Sequence, residues 1–115
     1  RLSRDANAWS EFERDLGLTE AQKQRLIQLY TQFREETRPS CTEIRARQLE
    51  LSRLVTAEKS DPAAASKLAS RISALQGKNL QSAVGKLMLA KQVLTPEQRA
   101  KVAEKIRTMP CLPSL

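Results

Sequence analysis

A chain of 115 residues with only 3% aromatics and three glycines supplies one domain with a core of Leu, Ile, Val and Ala, a profile of packed helices and not of a β-sandwich or barrel. It contains no His, which removes the commonest general base and the commonest transition-metal ligand together. Its 20 Lys and Arg against 13 Asp and Glu give a formal charge of +7, which favours anionic partners, and no apolar run approaches the length of a membrane span.

The stretch "NAWSEFERDLG" places Trp9, Phe12 and Leu16 on one face of a short amphipathic helix, with Gly17 as its C′ residue. Thr19 then stands at an N-cap with Gln22 at N3, a capping box. From there Leu26, Tyr30, Phe33, Thr37, Cys41, Ile44, Gln48, Leu51 and Val55 recur at intervals of four and three. That spacing predicts one stripe on a helix of about 37 residues, on the order of 55 Å long. Pro39 lies inside it and predicts a kink near residues 34–38, not a break. Asp61 and Pro62 form an N-cap and N1 pair that opens a second long helix. Its stripe is Leu68, Ile72, Leu75, Asn79, Ala83, Ala90 and Leu94, with Gly77 and Gly85 inside it as expected points of close backbone approach. Thr95 and Gln98 make a second capping box, with Pro96 at N1, and start a final short helix through Thr108.

So short a turn at Asp61 predicts an antiparallel hairpin in which residue i faces roughly residue 119 − i. In that register Glu50 comes level with Lys67 and Arg71, and Glu43 with Lys78, along one edge. The opposite edge carries Ile27, Arg34, Arg38, Arg45 and Leu49 from the first long helix and Leu80, Leu87 and Lys91 from the second. Apolar and basic residues alternate there without acidic partners, which suits either a solvated basic surface or a binding surface for something apolar and negatively charged. Val84 and Met88 fall away from the stripe and call for cover from the short helices or from a second subunit, so a homodimer is expected.

The sequence Leu-Thr-x-x-Gln thus opens the second and the fourth helix, in "GLTEAQ" and "VLTPEQ". Two such caps outside a long helical hairpin resemble the Spy/CpxP/ZraP/CnrX group of periplasmic LTxxQ proteins, over nearly the whole of residues 1–115 taken as a single domain. The resemblance implies an all-α, four-helix hooked hairpin, two long antiparallel helices each flanked by a short one, exported to the periplasm and tied to envelope stress or heavy-metal resistance. Spy-like members of that group are ATP-independent chaperones, and the face from Ile27 to Lys91 looks similar to their basic and apolar cradle. Metal-sensing members use His ligands, and this chain has none, so no metal site and no cofactor is carried over.

Two cysteines, Cys41 and Cys111, lack metal-ligand spacing. A final helix folded back along the hairpin would bring Cys111 toward Cys41 for a disulfide, while Cys41 on the core stripe would equally serve as a small hydrophobe. The leading expectation is a non-enzymatic protein that binds exposed apolar segments of unfolded proteins. The alternative is a sensor or regulatory domain, for envelope stress or heavy metal, that inhibits a membrane signalling partner; a membrane anchor upstream of Arg1 would favour it. A nucleic-acid role is disfavoured by the acidic edge at Glu36, Glu43 and Glu50, and enzyme activity by the lack of a phosphate loop or of a nucleophile beside a base.

Overall fold

The computed structural model describes residues 13–108, which are helical and contain no strand. Helix α1 spans Glu20–Thr56, α2 spans Pro62–Ala90 and α3 spans Pro96–Thr108, with a 3-10 turn at Lys91–Val93 before the last. Residues 13–16 are the end of a preceding helix. Trp9 and Phe12 of the expected first helix lie outside the described residues. The chain is all-α, with its two long helices packed together as a hairpin.

The local stop and start signals act as their chemistry requires. Gly17 adopts a φ of 63°, and its N–H donates to the carbonyls of Glu13 and Arg14 at 3.2 Å each, closing the first helix in a conformation that strains any residue with a Cβ. Asp61 Oδ1 accepts from the N–H of Ala64 at 3.1 Å, with Pro62 as the first residue of α2. Helix α1 continues through Pro39 without a break.

Contacts divide the chain into two compact units, one of Arg1–Gln28 with Leu89–Leu115 and one of Leu29–Met88. In the second unit, Leu29, Thr37 and Ser40 of α1 and Leu75 of α2 are buried, with Phe33, Ile44, Leu51, Leu68, Ile72 and Asn79 partly so. The inward line of α1 therefore departs from the expected stripe. Tyr30, Cys41 and Val55 are exposed, and Leu29 and Ser40 lie inward in place of the first two. Two effects explain the shift. A strict four-and-three spacing drifts around a 3.6-residue helix, and the Tyr30 hydroxyl stays at the surface, where it accepts from Arg34 at 3.4 Å. Thr37 satisfies its own burial by donating to the Phe33 carbonyl at 2.8 Å.

The hairpin register holds, but the ion pairs are not those expected. Asn79 Nδ2 meets Cys41 Sγ at 3.7 Å, and Ser82 donates to Glu36 at 3.0 Å. Glu43 takes both guanidinium donors of Arg71 at 2.7 Å, not Lys78. Glu36 takes Lys86 at 2.7 Å, and Glu50 takes Arg47 of its own helix at 2.7 Å instead of Lys67 or Arg71. Long side chains reach a full turn in either direction, so level backbones do not choose the partner.

Lys86 and Ser82 hold the Glu36 carboxyl below its ordinary 4.5, and Arg71 does the same to Glu43. A carboxyl with a lowered folded pKa contributes stability above its unfolded pKa and loses it as pH falls through the folded value. The melting temperature is accordingly expected to fall below about pH 4.5, less steeply in a Glu36→Gln, Glu43→Gln variant. Equal acid sensitivity in the two proteins would show that these pairs carry none of it.

The expected close approach at Gly77 and Gly85 is absent: a Cβ at either position would meet nothing within 4 Å. Neither glycine is needed by the packing of its own chain. Gly85→Ala is expected to stabilise by about 0.5–1 kcal/mol, read as a higher urea midpoint with an unchanged slope; a lower midpoint would reveal a contact there.

Candidate functional site

In the unit formed by residues 13–28 and 89–108, the two capping boxes close as expected. Gln22 N–H donates to Thr19 Oγ1 at 3.2 Å and Thr19 N–H to Gln22 Oε1 at 2.8 Å. Gln98 N–H donates to Thr95 Oγ1 at 3.2 Å and Thr95 N–H to Gln98 Oε1 at 2.9 Å. Capping occupies the oxygen of each Gln and leaves its two amide hydrogens free. Those hydrogens join the boxes to each other. Gln22 Nε2 donates to the Val93 carbonyl at 2.7 Å and to Gln98 Oε1 at 2.8 Å. Gln98 Nε2 lies 3.0 Å from the Leu16 carbonyl, 3.4 Å from that of Gly17 and 3.3 Å from Gln22 Oε1.

Val93 and Gly17 each stand two residues before a capping Thr, so the junction has approximate two-fold character and each box completes the other. This is why the motif occurs twice. Gln98 is 7% exposed, and Leu16 and Leu94 are buried beside it. Lys101 adds a bond to the Asp15 carbonyl at 2.5 Å and Arg99 one to the Lys91 carbonyl at 3.0 Å. The sequence shows each box but not their union. Its one signal is Gln at both N3 positions, since Glu caps equally well but has no hydrogen to donate.

The residues expected to form a binding face are on the surface. In the hairpin unit Arg34, Arg38, Arg45, Leu49 and Leu80 are exposed, Leu80 by 64%, while Leu87 is half-buried. In the other unit Ile27, 60% exposed, and Lys91 are at the surface. Tyr30, on the core stripe by spacing alone, belongs with this set, because it is 59% exposed and Arg34 lies over its ring at 5.8 Å. Arg38 and Arg45 make no ion pair or hydrogen bond among the described residues. Among the described residues their charge is therefore not neutralised, in contrast to the other edge, where Arg71 and Lys86 are paired with Glu43 and Glu36.

Cys41 is a free, exposed thiol and so not a core residue. Cys111, its expected disulfide partner, lies outside the described residues.

A family model described as heavy-metal resistance matches residues 3–101. No curated protein and no solved structure matches the chain. The description names metals, but the described residues assemble no resident metal centre. The chain has no His, and the described residues bring together no group of three or more His, Cys, Asp or Glu side chains that could hold an ion.

Proposed function

The chain belongs to the heavy-metal resistance family, whose members act in metal resistance or envelope stress, and on that premise we propose that it is a non-enzymatic, periplasmic, ATP-independent chaperone. Its binding face is the one carrying Arg34, Arg38, Arg45, Leu49 and Leu80 in the hairpin unit. The observation that carries the reading is the pairing of exposed aliphatics with arginines that have no acidic partner among the described residues. Leu49 and Leu80 offer apolar contact to an unfolded segment, and the arginines attract its acidic flanks and raise the rate of encounter.

The test is light scattering from a chemically denatured, acidic client diluted into buffer without nucleotide. Suppression is expected at near-stoichiometric chaperone and is expected to weaken with salt, because the arginines are exposed to screening. Full aggregation at a large excess of the protein would overturn the reading. The family's tie to metal resistance also fits a regulatory domain that inhibits a membrane signalling protein through the same face. Suppression extending over unrelated acidic clients separates the two, since a regulator needs one surface only.

A further inference from the structure

On the hairpin edge opposite the arginine-bearing face, the acids of α1 recur every seven residues as Glu36, Glu43 and Glu50, and the next place in that series is Ala57. Toward the turn the charges run as a ladder. Arg71 donates twice to Glu43 at 2.7 Å, while Arg47 reaches Glu43 at 3.4 Å and Glu50 at 2.7 Å, and there the acids of the series end. Arg53 of α1 and Lys67 of α2 come next, both exposed, and their side chains make no ion pair or hydrogen bond among the described residues. They border a cleft of about 530 Å³ between the two helices. Leu54, Ala64 and Leu68, each half-buried, supply its apolar lining.

We infer that this cleft binds a free single-chain anionic amphiphile, with the head group held between Arg53 and Lys67 and the alkyl chain laid on Leu54, Ala64 and Leu68. The inference does not rest on the chaperone reading, whose face lies on the other edge. A carboxylate, sulfate or phosphate head would take the rung of the ladder that Ala57 leaves without an acid. The donors of Arg53 and Lys67 are unengaged and point the site at an anion, whereas Glu43 and Glu50 already answer Arg47 and Arg71. Charge alone holds little at so exposed a rim. The apolar lining is what makes a tailed anion the better ligand, because the alkyl chain leaves water as it meets the two leucines.

Size and surroundings narrow the occupant further. The volume lies within the roughly 300–1,000 Å³ of small-molecule sites. A bilayer suits the place poorly, since Glu58 and Asp61 line an adjoining depression that shares Leu54 and would face the head groups of an anionic membrane. Nucleic acid suits it no better, because no aromatic side chain lines the cleft to stack on a base. A neutral apolar ligand would leave Arg53 and Lys67 unanswered at the rim.

Isothermal titration calorimetry with decanoate, kept below its micellar concentration, tests this. Saturable binding is expected at or below about 1 mM, weakening with added salt, with amide chemical-shift changes gathered around Arg53, Leu54, Ala64, Lys67 and Leu68. The double variant Arg53→Gln, Lys67→Gln is expected to lose affinity at least tenfold at unchanged far-UV ellipticity, since neither side chain has an ion pair or hydrogen bond to lose among the described residues. Arg38→Glu, on the other edge, is expected to leave decanoate binding unchanged. Acetate, a head without a chain, and decyltrimethylammonium, a chain with the opposite charge, are expected not to bind. Absence of saturable decanoate binding, equal affinity in the double variant, loss of binding in Arg38→Glu, or equal binding of either control would overturn the inference. Cosedimentation with anionic vesicles that decanoate does not displace would overturn it too, by making a membrane the occupant.

Discussion

Replacing Gln98 by Ala is expected to destabilise the chain by about 2–4 kcal/mol, several times the effect of removing a single cap. The Gln98 side chain caps Thr95 N–H and supplies the amide that reaches the carbonyls of Leu16 and Gly17 and Gln22 Oε1. Truncation removes a capping partner, worth about 1 kcal/mol. It also strips a donor from a carbonyl beside the buried Leu16, where an unmet group costs about 1–3 kcal/mol. Thr95→Ala removes only the reciprocal bond and is expected to cost about 1 kcal/mol.

The discriminating variant is Gln98→Glu. It keeps the oxygens that a capping box needs and loses both amide hydrogens, so it turns three accepting oxygens toward a carboxylate. If capping were the whole role of the residue, Gln98→Glu would melt like the native chain. The junction predicts instead a loss at least as large as that of the Ala variant, relieved at low pH when the new carboxyl protonates. Urea denaturation of the three variants decides between these accounts, and native-like stability of Gln98→Glu would remove the junction's second function.

What the sequence disclosed was mostly local. Thr19, Thr95, Asp61, Pro62, Pro96 and Gly17 act on backbone groups within four residues of themselves, and each sits where its chemistry placed it. The Gln22 to Gln98 union spans the chain and depends on which hydrogens remain after capping, a question that helix periodicity does not pose. The core stripe was legible to within one residue. Ser40 is less apolar than Cys41 and Leu29 no more conspicuous than Tyr30, so burial of the first of each pair came from helix phase and not from residue type. The salt bridges were the least legible, since Glu43 had basic residues within reach a turn away on either side and chose Arg71. Of the candidate face, the sequence supplied the arginines and the leucines; the exposure of Tyr30 and the openness around Gly77 are visible only once the helices are packed.

Changing Arg34, Arg38 and Arg45 together to Glu is expected to reduce suppression of an acidic client's aggregation at least tenfold while the fold survives. Arg38 and Arg45 have no ion pair or hydrogen bond to lose among the described residues, and Arg34 gives up only an exposed contact with Tyr30. Each substitution reverses a charge, so attraction becomes repulsion and both the encounter rate and the bound state suffer. The effect should shrink in high salt, where charges farther apart than about 3 Å at 1 M are screened. A basic client supplies the inverse measurement: the reversed face should suppress its aggregation better than the native one does. Leu80→Ser, which leaves charge untouched, is expected to weaken suppression of both clients alike. If the triple variant protects the acidic client as well as the native chain does, the arginines are solvated surface and the binding face lies elsewhere.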